Sequence, residues 1–208
     1  VLALDPSRSV AARLQERLSG PPTVRGAERL CEGGDLEACL VLGGWVIDGN
    51  GTAPDPSRGV ALMERACAGG QVEACLAAAS EHRTGRAGPA NPAAATRMLE
   101  SACTHGEQKG CVALAWALQS GEGIPRDLER AAALYEDGCL GGDGEACTRL
   151  GLLYVAPDGL AHAPHRAQEL LGKGCELGNP LGCSSLEMLG QVSAPAERPE
   201  HQRPVPEK

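Results

Sequence analysis

The cysteines of this chain recur at one fixed spacing, and no other feature constrains the fold as strongly. Ten cysteines occur in 208 residues, and every C-x7-C pair is followed by the next pair 36 residues later. The pairs are Cys31 and Cys39, Cys67 and Cys75, Cys103 and Cys111, Cys139 and Cys147, and Cys175 and Cys183. A period of this length without insertions predicts a repeat array whose cysteines work in pairs.

The sequence pattern of each repeat unit predicts two helices. In the first unit, apolar residues at helical spacing predict a helix A from Leu36 to about Ile47. A loop rich in glycine and proline follows, and a helix B runs from about Ser57 to Ala68. No stretch alternates as a strand would. The predicted fold is therefore all-α, a right-handed α/α solenoid of about five 36-residue helix hairpins.

The two ends depart from the repeat. Residues 1–22 contain an amphipathic stretch from Val10 to Leu18, which predicts an N-terminal cap helix. Residues 23–190 form the predicted repeat solenoid. Residues 191–208 are rich in proline and charge, which predicts a disordered tail. The fifth unit therefore has its first helix but no second one.

The cysteine spacing favours disulfides over redox chemistry or zinc. The chain has no C-x-x-C, the usual redox motif, and C-x7-C fits structural zinc sites poorly. We predict a bond within each C-x7-C pair, because the first cysteine ends helix B and the second opens the next helix A. The alternative joins Cys39 to Cys67 and its equivalents. That scheme leaves Cys31 and Cys183 unpaired.

Composition bounds the partners and the compartment. The net charge is -8 and no basic run occurs, which argues against nucleic acid as a partner. No apolar stretch reaches the roughly 20 residues that span a bilayer. Paired cysteines indicate an oxidising compartment, so we expect a secreted or periplasmic location. We also expect a monomer. The sequence begins at Val1, and a lost signal peptide or N-terminal anchor is compatible with it.

Few side chains suggest a site. His162 and His165 flank a proline that prevents their presentation as a helical pair of metal ligands, so we expect exposed loop residues. We therefore predict no catalytic residue, no metal and no cofactor. Among the variable helix A positions we predict Trp45, Glu81 and His82 as the ligand-facing surface, because a Trp beside polar neighbours often anchors an interface. The alternative for Trp45 is packing against the N-terminal cap.

Two runs resemble the Sel-1-like repeats, relatives of the tetratricopeptide family. Ala146 to Tyr154 resembles their A-x-x-x-L-G-x-x-Y opening, and Gly121 to Ala131 resembles their G-x-G-V-x-x-D-x-x-x-A middle. The C-x7-C pairs resemble the disulfide-bonded branch, which includes secreted bacterial cysteine-rich proteins and a mitochondrial intermembrane-space relative. The resemblance covers about residues 23–190 and implies a helical solenoid.

The resemblance and the residues lead to one preferred function. We expect a non-catalytic scaffold that presents a curved surface to a protein, a peptide or a cell-wall component. Some disulfide-bonded relatives carry a β-lactamase or penicillin-binding label, which makes a β-lactam hydrolase the alternative. The S-x-x-K, S-D-N and K-T-G motifs of serine β-lactamases are absent from the sequence. A redox-linked assembly factor, as the mitochondrial relative suggests, is the third interpretation.

Overall fold

Ten α-helices follow one another in the computed structural model, which describes residues 23–193. The predicted cap helix at Val10 to Leu18 lies outside the described residues. So does the predicted tail at 191–208, except for residues 191–193, which are the last residues of α10. The helices are α1 (Val24–Glu32), α2 (Leu36–Asp48), α3 (Pro56–Ala68), α4 (Val72–Thr84), α5 (Pro92–Thr104), α6 (Gln108–Ser120), α7 (Leu128–Leu140), α8 (Gly144–Leu153), α9 (Pro164–Glu176) and α10 (Pro180–Ser193). Residues 23–193 contain no strand, so the all-α prediction is confirmed.

The chain divides into two compact units, Val1–Tyr135 and Glu136–Lys208, with the boundary inside α7. Within the compact unit Val1–Tyr135, consecutive helices pack against each other. Equivalent helices of neighbouring repeats also touch, α2 against α4 and α3 against α5. Within the compact unit Glu136–Lys208, α8 packs on α9, α9 packs on α10, and α10 packs on α8. Each hairpin thus buries its apolar face against its neighbours, as a repeat solenoid requires.

The two helices of a hairpin cross at a pair of small residues. A Cβ built on Gly43 of α2 would lie only 2.8 Å from the carbonyl oxygen of Gly59 on α3, so no larger residue fits there without movement. The small residues repeat along the chain as Gly43, Ala79, Ala115 and Gly151 in the A helices, and as Gly59, Ala95, Ala131 and Ala167 in the B helices. The fifth unit breaks this column, since Glu187 of α10 stands where the others have glycine or alanine.

Every turn from a helix B to the next helix A has the same geometry. A glycine with positive φ follows each helix, namely Gly34, Gly70, Gly106, Gly142 and Gly178, with φ between 83° and 94°. The next residue donates its backbone N–H to a carbonyl five positions earlier; Asp143, for example, donates to Gly138 over 3.0 Å. This pattern is a Schellman motif, which requires glycine because other residues are strained at positive φ.

The residue that closes one helix often begins the next. The carboxylate of Asp143 accepts hydrogen bonds from the backbone N–H groups of Glu145 and Ala146, at 2.8 and 3.0 Å. Asp35 and Asn179 cap α2 and α10 in the same way, through Ala38 and Gly182. One side chain therefore satisfies helix-terminal donors while its own backbone N–H completes the preceding helix end. Because one residue completes one helix end and caps the next helix, the turn between the two helices stays short.

The fourth repeat has a shorter helix A than the other repeats. Helices α2, α4 and α6 each end at a left-handed glycine, Gly49, Gly85 or Gly121, with φ between 68° and 76°. Pro157 occupies the equivalent position in the fourth unit. Proline cannot adopt positive φ and disfavours helical geometry at the preceding residue, so α8 ends earlier, at Leu153.

Candidate functional site

The five disulfides lie at the turns that join each helix B to the next helix A. Each C-x7-C pair is bonded internally, with the two Cα atoms 4.5 to 4.7 Å apart. This is the local pairing of the two schemes that the sequence left open. Closing a loop of about nine residues stabilises the fold by about 2–3 kcal/mol in the chain-entropy model. Each disulfide therefore links a helix B covalently to the helix A of the next repeat.

Trp45 is partly buried rather than fully exposed. It packs against the apolar cluster of the first repeats, whose buried members include Ala27 and Cys31 of α1 and Leu42 of α2. Helix α1 follows the predicted cap directly, and part of the indole remains at the surface. The side chain therefore serves packing, and its remaining surface is what a ligand would meet.

Glu81 is turned into the protein and is held there by an arginine. The residue is 8 % exposed, and its carboxylate accepts hydrogen bonds from Nε of Arg86 at 3.0 and 3.2 Å and from Nη2 at 2.5 Å. The same guanidinium donates to Asp48 at 2.9 Å through Nη1. Hydrogen bonds from Arg86 to Glu81, the charge of Glu81 and the weaker influence of Asp48 raise the pKa of Arg86 above its ordinary value. The carboxylate predicted to face a ligand is therefore engaged within the chain.

His82 is also engaged within the chain. Its Nε2 lies 2.7 Å from Oε1 of Glu64 on α3, and its side chain is mostly buried. Glu28 and Glu100, which stand 36 residues before and after Glu64, contact Arg58 and Arg130 instead. The position that would supply the arginine for Glu64 is Ala94, and Glu64 contacts His82 instead. The contact of Trp45, Glu81 and His82 with a ligand remains a prediction.

The histidines near Pro164 are exposed. His162 lies in the loop before α9, and His165 is the second residue of that helix. Within residues 23–193, no group of three or more histidine, cysteine or acidic side chains is arranged to hold a metal ion. None of the described helices combines the length and the apolar character needed to cross a bilayer.

Helix α10 presents an apolar surface that the sequence analysis missed. Leu181 and Met188 are 50 % and 58 % exposed and lie seven residues apart, which places them on one face of the helix. We call this pair the α10 apolar face. At the position of Leu181 the four preceding repeats carry charged residues, Glu37, Glu73, Lys109 and Glu145. Comparing repeat positions for apolar residues in charged columns would have found Leu181 but not Met188, whose equivalents are Gly44, Ser80, Trp116 and Leu152.

The comparison with protein families identifies the repeat. The family model described as Sel1 repeat matches four consecutive segments, residues 36–71, 72–107, 108–143 and 144–179. Each matched segment begins with a helix A and ends at the turn before the next one. No curated protein matches the chain.

Solved structures share the fold at low sequence identity. The protective antigen c5321 of uropathogenic Escherichia coli, described as having an SLR fold, is 23 % identical with a TM-score of 0.75, and the match covers 88 % of this chain and 40 % of the antigen. A Sel1 repeat protein from Oxalobacter formigenes is 21 % identical with a TM-score of 0.68, over 92 % of this chain and 79 % of that protein. This chain therefore spans less than half the length of the E. coli antigen. At these identities the likeness shows the fold alone.

Proposed function

The chain belongs to the Sel1 repeat family, and we propose that it is a non-catalytic scaffold that binds a protein or peptide outside the cytosol. The five disulfides fit an oxidising compartment, since such bonds are rare where thiols are kept reduced. A secreted or periplasmic location is part of the proposal. No observation in residues 23–193 favours the hydrolase alternative.

The α10 apolar face is the observation that carries the proposal. Its two side chains are flexible and aliphatic, and about half of each is in contact with solvent. Leu177, in the turn before α10, is also 43 % exposed. Leu181 replaces a charged residue on a repeated surface, and exposed apolar residues of this kind cost solubility and are typical of surfaces that bind another protein. The partner would therefore be a protein or peptide that buries apolar side chains against α10.

Trp45 supports a second, separate contact on the first repeats. Glu81 and His82 already contact Arg86 and Glu64. Among the three predicted residues, the partly exposed indole of Trp45 is therefore the side chain left to contact a ligand. Replacing Trp45 by Ala separates binding from packing. Lost partner binding at an unchanged melting temperature would support the contact. A large drop in melting temperature would assign Trp45 to packing.

Capture of a partner from an extract of secreted and periplasmic proteins tests the proposal. The double variant L181E/M188S restores residue types found at the same positions in other repeats, Glu145 and Ser80. We expect it to fold and to lose the captured partner. The matched control is L140E, because Leu140 of α7 is 74 % exposed but lies outside α10. Equal capture by L181E/M188S and L140E would contradict the proposed surface.

A direct assay tests the non-catalytic part of the proposal. The chain is incubated with a chromogenic cephalosporin, and the change in absorbance is followed. We expect no turnover above the background rate. Turnover that scales with the concentration of the chain and survives purification would contradict a scaffold without chemistry and favour the hydrolase alternative.

A further inference from the structure

The guanidinium of Arg65 lies directly on the Cys31–Cys39 disulfide. Its Nη2 is 2.7 Å from Sγ of Cys31 and 3.0 Å from Sγ of Cys39. The same nitrogen donates a hydrogen bond to the backbone carbonyl oxygen of Cys31. Arg65 belongs to α3, the helix B of the following hairpin, so the repeat packing itself brings the cation to the sulfurs. A positive charge therefore contacts both atoms of this disulfide.

The next disulfide along the chain has a neutral side chain in the same place. Ser101 stands 36 residues after Arg65, and its hydroxyl oxygen lies 3.5 Å from Sγ of Cys67 and 3.7 Å from Sγ of Cys75. The two disulfides are otherwise closely matched, because all four cysteines are at most 2 % exposed. A thiol therefore meets the same barrier of burial at both pairs. The charge of the covering side chain is what distinguishes them.

We propose that Cys31–Cys39 is a reactive site for thiol–disulfide exchange, whose substrate is a thiolate of a small molecule or of another protein. The sulfur of the incoming thiolate attacks Sγ of one cysteine and forms a mixed disulfide with it. The Cys31–Cys39 bond breaks, and its electron pair leaves on the other Sγ as a thiolate beside Arg65. Attack by a second thiolate on the mixed disulfide releases the oxidised reagent and leaves both cysteines reduced.

The chemistry of the leaving sulfur is the reason for this assignment. Exchange is faster when the departing thiol has a lower pKa, and a neighbouring arginine lowers the pKa of a thiol because it stabilises the thiolate. The guanidinium group of an arginine is always charged in proteins, whereas a serine hydroxyl is neutral. Because Nη2 touches both sulfurs, the stabilisation is available whichever of the two cysteines leaves. The neutral hydroxyl of Ser101 stabilises a departing thiolate much less than a guanidinium does.

Opening this disulfide would have a local effect on the fold. Cys31 is in α1 and Cys39 is in α2, so the bond closes the turn between the first two described helices. The other four disulfides close turns further along the chain. Exchange at Cys31–Cys39 would therefore loosen α1 while the remaining turns stay closed. This inference concerns α1–α3 and is independent of the α10 apolar face.

The test measures the opening of each disulfide in the folded full chain. The chain is exposed to 2-mercaptoethanol, whose attacking thiolate carries no charge besides that of its sulfur, so that no further charged group on the reagent is attracted to Arg65 or repelled by it. Samples are quenched with an alkylating reagent at intervals, and peptide mass spectrometry quantifies each cysteine pair. We expect Cys31–Cys39 to open faster than Cys67–Cys75.

Two reciprocal variants identify the cause. R65S gives the first disulfide the covering residue of the second, and S101R does the reverse. We expect R65S to slow the opening of Cys31–Cys39 about threefold to tenfold, and S101R to accelerate Cys67–Cys75 by a similar factor. An unchanged or faster opening of Cys31–Cys39 in R65S would overturn the proposal, because Arg65 would then be neutral or a shield. An unchanged rate at Cys67–Cys75 in S101R would also count against it.

Discussion

Gly43 and Gly59 bring the backbones of α2 and α3 into direct contact. A Cβ on Gly43 would lie 2.8 Å from the carbonyl oxygen of Gly59, and a Cβ on Gly59 would lie 2.6 Å from that of Gly43. Ile47 fills the space beside this crossing, since a Cβ on Gly59 would also overlap its Cγ1 atom. The close approach of the α2 and α3 backbones therefore depends on the lack of a side chain at both glycines.

Replacing Gly43 by Ala should destabilise the chain. The added methyl would press on the backbone of Gly59 and on Cγ of Met63, 2.9 Å away, so we expect a loss of about 1–3 kcal/mol in unfolding free energy. The adjacent Gly44 is the matched control, because nothing lies within 4 Å of its Cβ position. Gly44→Ala should stabilise by about 0.5–1 kcal/mol. Urea denaturation measures both, and similar effects of the two substitutions would contradict the crossing geometry.

The turn glycines should be intolerant for a different reason. Gly106 has a φ of +84° and no atom within 4 Å of its Cβ position, so an alanine there meets no obstacle. The expected loss of about 1–2 kcal/mol in Gly106→Ala comes from backbone strain alone. Gly190→Ala is the control, since its site is equally open and lies within α10. A loss in thermal stability in Gly106→Ala but not in Gly190→Ala is the expected result.

One helix of the array lacks a cap that its equivalents have. Asp55, Asn91 and Asp127 accept a hydrogen bond from the backbone N–H three residues later, whereas α9 begins after Ala163, which has no capping side chain. Ala163→Asp should raise the unfolding free energy by about 1 kcal/mol, and Asp127→Ala should lower it by a similar amount. A neutral Asp127→Ala would show that these caps contribute little.

Asp55 should contribute to the pH dependence of stability. The backbone N–H of Arg58 and the hydroxyl of Ser57 donate to its carboxylate at 3.0 and 2.9 Å and lower its pKa below the ordinary value of 3.8. The folded state thus favours the ionised form, so the contribution is complete above that ordinary value and is lost as the pH falls through the lowered pKa. Melting temperatures between pH 6 and 2 should fall less steeply in Asp55→Asn. Parallel curves for the two proteins would contradict this.

Inner disulfides should matter more than the last one. The C103S/C111S double variant removes a bond worth about 2–3 kcal/mol from a turn whose helix α5 packs against α3, α4 and α6. In repeat arrays such losses spread to the neighbours. The C175S/C183S variant affects the turn before α10. We expect the larger drop in melting temperature for C103S/C111S, and equal drops would argue against coupling between repeats.

Much of the fold was predictable because the spacing of the cysteines is regular. The 36-residue period located the hairpins, and the glycine three residues after each first cysteine marked the turn. Helix α3 begins at Pro56 and ends at Ala68, within one residue of the prediction. The early end of α8 was missed, although the signal was present in Pro157, which breaks a column of glycines. Period alone does not reveal such local changes.

The candidate site was less predictable, because surface contacts depend on which side chains meet. The sequence shows that Glu81 is polar but not that Arg86, five residues later in the following loop, folds back onto it. It shows that the position of His82 varies between repeats, but its partner Glu64 comes from the neighbouring helix α3. Such pairs join positions that neither helical periodicity nor the repeat period brings together. The exposure of Leu181 likewise depends on how α10 is packed.

Glu187 has a consequence for how such a chain can grow. Tandem duplication adds hairpins to an array by copying a unit in frame, and each new helix B must cross its helix A at a small residue. A hairpin completed on α10 would bring its helix B against the Glu187 carboxylate, in the column that holds Gly43, Ala79, Ala115 and Gly151. At the crossing position of a second helix, the sequence has Arg203, where the other units have Gly59, Ala95, Ala131 and Ala167. Adding a hairpin of the same crossing geometry to α10 by engineering would therefore require the replacement of Glu187 by glycine or alanine.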